Sequence, residues 1–215
     1  MRLQILSTEH WSLLASRSLA WNESFSRAGM FLSTLSGAVV ALALVAQASA
    51  FGDGFTLFAL VILPVVLLIG IGTYLRLGAS NYHEAICVIG MNRIRAAYLQ
   101  LAPDLEPYFV MGTHDDPPGM AKTMAVYPAR GMLAWLGAVL AGTPTIVLIL
   151  NGVIAGAIGA IAALRGGAPA PAILGAALAA SALVVGAQAW RTSLVIRRIG
   201  AELRPLFPTP PSAGD

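Results

Sequence analysis

MFLSTLSGAVVALALVAQASA, residues 30–50, passes through the link FGDGF, residues 51–55, into TLFALVILPVVLLIGIGTYL, residues 56–75. Asp53 is the only charged residue in that stretch. Each apolar run approaches the ~20 residues that a helix needs to cross a bilayer core. The link is too short for anything but a tight turn, so the two runs read as an antiparallel pair of spanning helices. Pro64 removes a backbone donor and crowds the carbonyl of Leu60, which predicts a kink in the second span.

Downstream the pattern repeats less cleanly. Residues 131–164 are apolar throughout, too long for one upright span. Gly142-Thr143-Pro144 divides them, with Thr143 as a natural cap and Pro144 as a natural first helical position. That places the third span at 144–164 and leaves 132–141, with Trp135, as an inner-interface segment. One kinked helix through both parts is the other reading. A Gly- and Pro-containing turn at 165–171 leads to a fourth span at 172–190. Only 11% of the chain is charged and 57% is hydrophobic, where a soluble protein carries about 25% charge. The fold class expected is therefore all-α: an integral membrane protein of four transmembrane helices, with amphipathic cytoplasmic helices at the N-terminus and centre.

Charge sets the orientation. Every Lys and Arg except Arg165 lies outside the two outer turns, so the positive-inside rule puts both termini in the cytoplasm and the protein in the plasma (inner) membrane. Trp21, Trp135 and Trp190 fall where the inner headgroups would be. The net charge of +3 comes from Arg beside span ends, which suits anionic lipid and excludes a nucleic-acid footprint. The lone Cys87 excludes an intramolecular disulfide and a CxxC motif. A polar stretch precedes the first apolar run, unlike a signal peptide. The chain divides into a cytoplasmic helix (1–29), a transmembrane hairpin (30–77), a cytoplasmic helix with a Pro-rich connection (78–130), the interfacial segment with spans three and four (131–190) and a basic cytoplasmic tail (191–215).

Outside the spans, helix is expected over residues 8–28, with Ser7 or Thr8 as its cap. A stripe at spacings of three and four joins Trp11, Leu14, Ser18, Trp21, Phe25, Ala28, Leu32, Leu35, Val39, Leu42 and Ala46. It runs into the first span without a break, although a bend at Gly29 is an alternative. Residues 80–101 form a second cytoplasmic helix, capped near Ser80 or Asn81, with Cys87, Met91, Ile94, Tyr98 and Leu101 on its apolar face. The two stripes are expected to pack together. Residues 102–130 read as an irregular, mobile connection with room for one short helix, and the tail beyond Pro208 as disordered.

Asp, Glu, Lys, Arg and His are absent from the spans, which argues against a proton-coupled carrier or voltage sensor. A passive path lined by hydroxyls or amides stays open, and Asn151, Gln47, Ser33, Thr34 and Ser36 are its candidate lining. Asn151 is equally a candidate for an interhelical hydrogen bond. Gly152, Gly156 and Gly159 place small residues on one face of span three, for packing within the chain or between subunits. Arg191, Arg197 and Arg198 are candidates for lipid headgroups. Arg93 and Arg95 have Glu84, Asp104 and Glu106 as candidate ion partners. His114-Asp115-Asp116 reads as a solvated loop rather than a metal site, because adjacent residues rarely aim at one ion. GxSxG, HExxH, P-loop and dinucleotide-binding patterns are all missing, so neither an enzyme nor a cofactor is expected.

The segments VIGMNRIR (88–95), AYL (97–99), LEPYF (105–109) and EHWSL (9–13) resemble a widespread family of uncharacterised bacterial four-span membrane proteins over about residues 1–205. That resemblance implies a bacterial origin and the four-span layout, and it implies no activity. A hairpin of spans framed by cytoplasmic helices is also similar in architecture to the two-span effector modules of bacterial nucleotide-triggered defence systems. Two functions are consistent with these readings. The first is a homo-oligomer that forms or gates a path for ions or small solutes. The second is a membrane-anchored scaffold or signalling adaptor whose cytoplasmic helices bind a protein partner.

Overall fold

The computed structural model describes residues 1–125, 132, 137, 142–202 and 204–211, with the backbone alone over 198–202. All the regular structure among them is helical. Helix α1 is Arg2–Ser49 and α2 is Asp53–Leu101; a 3-10 turn at Pro103–Tyr108 and the short α3, Pro117–Thr123, follow. Helix α4 is Thr143–Arg165 and α5 is Ala170–Glu202. Four helices, α1, α2, α4 and α5, are long and apolar enough to cross a membrane. The proposed interfacial segment, 132–141, lies outside the described residues apart from Met132 and Gly137.

The two long helices pass through positions where the sequence suggests caps or breaks. With 48 residues, α1 is ~72 Å long at ~1.5 Å per residue, against a bilayer core of ~30 Å. It begins at Arg2, so Thr8 is interior to the helix, and its hydroxyl donates to the Gln4 carbonyl rather than capping. Nor does Gly29 end it. Helix α2 likewise runs unbroken across Gly78, Ser80 and Asn81. One glycine costs a helix interior about 1 kcal/mol, too little to stop a helix with a packed face. Pro64 is accommodated within α2.

Two compact units arise from this chain. The first comprises Met1–Glu23, Ala79–Ala134 and Arg198–Asp215. Its interior is built from Ala20, Cys87, Val88, Ile89, Met91 and Ile94. The face of α1 turned inward here carries His10, Leu13, Arg17 and Ala20, and Leu13 fills the space left by Gly90. Trp11, Leu14 and Trp21, expected on that inner face, are exposed. The reason is geometric: at about 100° per residue Trp11 lies about 180° round the helix from the buried Ala20, and Leu14 and Trp21 about 100–120° from it. Farther along α1, Ala28, Phe31, Ala38 and Ala46 are buried.

The second unit comprises Ser24–Gly78 and Trp135–Arg197. Phe31 and Ala38 from α1, Ala59, Leu63, Val66, Tyr74 and Leu77 from α2, and Val147 and Ile154 from α4 make its core. Helix α5 flanks that core, and the most apolar window of α5 has none of its residues buried. Both turns use left-handed backbone. Ala50 and Phe51 have φ of 47° and 59°, so the first turn is made by the residues before the glycines. In the second, Gly167 has φ 72°, and Ala168 donates to the Ala163 carbonyl in a glycine-terminated helix end. Arg165 forms an ion pair with Asp53, joining the two turns. Helix α4 starts one residue earlier than its sequence suggests, with Gly142 as N-cap and Pro144 in the first turn.

Candidate functional site

The five polar residues read as candidate lining are not brought together. Ser33, Ser36 and Gln47 are exposed on α1, whereas Asn151 is fully buried within the second unit. At about 100° per residue, Ser33, Ser36, Val40 and Gln47 fall within about 60° of one another and roughly opposite the inward Phe31 and Ala38. Their side chains have no hydrogen-bond partner among the described residues. Thr34 points elsewhere and returns its hydroxyl to the Met30 carbonyl at 2.9 Å.

Asn151 belongs to a polar seam joining α2, α4 and α5. Its amide nitrogen donates to Gln188 Oε1 at 3.1 Å. One turn along α2 and α5, the Tyr74 and Thr192 hydroxyls meet at 2.8 Å, and Thr192 also donates to the Gln188 carbonyl. Asn151 Oδ1 and Gln188 Nε2 have no partner. Oδ1 lies against Gly70, where an added Cβ would fall 2.0 Å from it. Only glycine fits there.

Glycines also close α4 onto α5 within one chain. A Cβ at Gly152 would meet Val185 at 2.7 Å, one at Gly156 the Ala177 carbonyl at 3.2 Å, and one at Gly159 the Ala176 carbonyl at 2.7 Å. By contrast, Gly175 and Gly186 on α5 have open space around them. Arg191 and Arg197 are exposed, and the Arg198 side chain lies outside the described residues.

The first unit contains a polar cluster that the sequence did not disclose. Asn92, wholly buried, donates to the carbonyls of His114 at 2.7 Å and Gly119 at 3.2 Å. Its oxygen accepts from Arg95 at 2.8 Å and from Thr123 at 2.7 Å. That one side chain ties the 112–123 segment to α2, so this part of the expected mobile connection is anchored.

His114-Asp115-Asp116 is not a solvated loop either. Asp115 and Asp116 are buried and hold the C-terminal segment. Asp115 accepts from the Leu206 and Phe207 N–H groups, each at 2.8 Å, and from Arg93 at 2.7 Å; its own N–H donates to the Phe207 carbonyl. Asp116 caps α3 through the Gly119 N–H, and accepts from the Thr209 N–H at 2.6 Å and hydroxyl at 2.8 Å. Residues 204–209, expected to be disordered at their end, are strapped down by these bonds. Burial alone would raise both carboxyls; the hydrogen bonds from the strap, with Arg93 beside Asp115, outweigh it and hold them below the usual carboxylate range. A cavity of about 350 Å³ lies beside the strap, lined by Leu99, Gln100, Glu106, His114, Phe207 and Pro208 among others.

Ion pairing departs from the sequence reading in the same way. Glu84 pairs with Arg17 of α1 at 2.8 Å, and Arg93 with Asp115 rather than Asp104 or Glu106. Burial, then the charge of Arg95, lowers His10, whose Nδ1 is buried without a partner. Cys87 is buried, and desolvation raises its thiol, so it is a poor nucleophile. Three or more metal-ligating side chains converge nowhere among the described residues. Among family models, curated proteins and solved structures, none matches this chain, so its geometry alone has to carry a functional reading.

Proposed function

We propose that the protein assembles with copies of itself in the inner membrane and that the α1 helices line a path for ions or small solutes at the shared axis. The observation that carries this reading is the stripe of Ser33, Ser36 and Gln47, exposed on the side of α1 away from the core. In hydrocarbon an outward amide such as that of Gln47 calls for a neighbouring helix or water, whereas a hydroxyl can also return to a carbonyl four residues back, as that of Thr34 does. Identical stripes meeting at an axis supply both. Asn151, in this reading, acts inside each protomer, joining α4 to α5 and leaving the path to α1.

Orientation follows from charge. The outer turns hold one base, Arg165, and every other Lys and Arg lies outside them, which supports cytoplasmic termini. Arg191 and Arg197 would then meet anionic headgroups.

The test is flux through purified protein in liposomes, together with disulfide cross-linking of a Ser36→Cys variant. Cross-linked oligomers, with flux reduced by Ser36→Leu and Gln47→Leu in normally folded protein, would support the path. A monomer without flux would end it. The scaffold reading has an observation of its own: Trp11, Tyr108 and Val110 of the first unit are 67%, 79% and 79% exposed, apolar side chains that a protein partner would cover. It gains if the oligomer forms and passes nothing even when the apolar stretch of α1 between Ser36 and Gln47 is made polar.

A further inference from the structure

Between its polar ends, the outward stripe of α1 is purely apolar. Ser36 and Gln47 are separated by ~16 Å along the axis at ~1.5 Å per residue. In that interval the stripe carries Val40, Ala43 and Leu44, with Val40 and Leu44 59% and 61% exposed. The order is hydroxyls, then aliphatic groups, then an amide. Val40 sits near the middle of the apolar run that opens at Met30 and closes at Ala50.

We infer that Val40, with Leu44 one turn beyond it, forms the closed gate of the proposed path: an aliphatic constriction that excludes water until the α1 helices separate. This inference rests on the reading that α1 faces a shared axis. A narrow passage walled by aliphatic side chains empties of water, because each molecule inside would give up hydrogen bonds that the wall does not replace. The dry stretch then blocks ions without any plug. Polar groups on either side, Ser33 and Ser36 below and Gln47 above, keep the two mouths wet and confine the barrier to the middle. Three features assign the constriction to Val40, with the bulkier Leu44 beside it: its outward direction, its β-branched stiffness and its distance from both polar mouths. Leu44 lies about 40° round the helix from Val40 at ~100° per residue, and so flanks the same constriction from the side.

The experiment is ion flux through the full-length protein in liposomes, comparing wild type with Val40→Asn and Val40→Thr. The second variant exchanges one methyl for a hydroxyl of the same shape, which guards against a folding defect. A parallel set of preparations also carries Ser36→Cys, so that cross-linking reports whether the α1 stripes meet while flux is read without it. A wet constriction should raise resting flux at least about tenfold in Val40→Asn and by a smaller factor in Val40→Thr. Val40→Leu, bulkier and still dry, should leave flux at or below the wild-type level. Resting flux unchanged by both polar variants, in oligomers that cross-link normally at position 36, would overturn the gate and leave the path standing. Failure of Ser36→Cys, with Val40 intact, to cross-link at all would overturn the path and the gate together.

Discussion

Asn92 shows what one side chain can hold in place. Both amide hydrogens and the carbonyl oxygen are used, by His114, Gly119, Arg95 and Thr123. Replacing it by alanine removes all four bonds, leaving Arg95 only its 3.5 Å contact with the Gly112 carbonyl, and each buried group left without a partner costs about 1–3 kcal/mol. Asn92→Ala should therefore weaken the first unit by about 3 kcal/mol or more, read as faster amide hydrogen exchange over residues 112–123. Gly70→Ala tests the second unit separately. Its new Cβ would lie 2.0 Å from Asn151 Oδ1 and 2.7 Å from Phe31 Cε2, and over-packing of this kind costs about 1–3 kcal/mol. A lower thermal midpoint in detergent is expected, with the Asn151–Gln188 bond displaced. The sequence marked Asn151 as notable because an amide stands out in an apolar run. Asn92 was invisible beside Arg93 and Arg95, since a polar residue among polar residues carries no signal of burial.

At the scale of elements, long helices were legible because apolar runs without helix-breaking pairs leave little else for the chain to do. Which face of α1 turns inward was not, because a spacing of three and four fits several adjacent stripes and only packing chooses among them. The C-terminal strap was hidden for a different reason. Asp115 grips the N–H groups of Leu206 and Phe207, which every non-proline residue possesses, some 91 positions away. Carboxylates hold that strap, so it depends on pH. Both carboxyls are depressed when folded; the stability they contribute is therefore complete above the ordinary value of 3.8 and lost as pH falls through the folded values. The strap should stay attached at neutral and mildly acid pH and detach only in strong acid. Asp115→Asn with Asp116→Asn should release it at neutral pH, seen as protease cleavage near Phe207.

At the scale of the whole molecule, the proposed topology rests on where Lys and Arg lie along the chain. In the proposed orientation the outer turns hold one base, Arg165, and the cytoplasmic side keeps the remaining Arg and Lys. The argument is testable with thiol chemistry, because the native cysteine makes little background. Cys87 is buried and burial raises its thiol, so the reactive thiolate is scarce and poorly reached. In intact cells, a membrane-impermeant maleimide should label Ala168→Cys, in the turn between α4 and α5, and leave Thr8→Cys untouched until the membrane is opened. Arg165→Ala should strengthen that pattern, since removing the one outer base leaves less to oppose cytoplasmic termini. Moving positive charge into the same turn, as Ala168→Arg with Pro169→Arg, should erode it. Labelling of Thr8→Cys from outside, at the rate of Ala168→Cys, would mean that the first helix does not enter the membrane in the direction its arginines require.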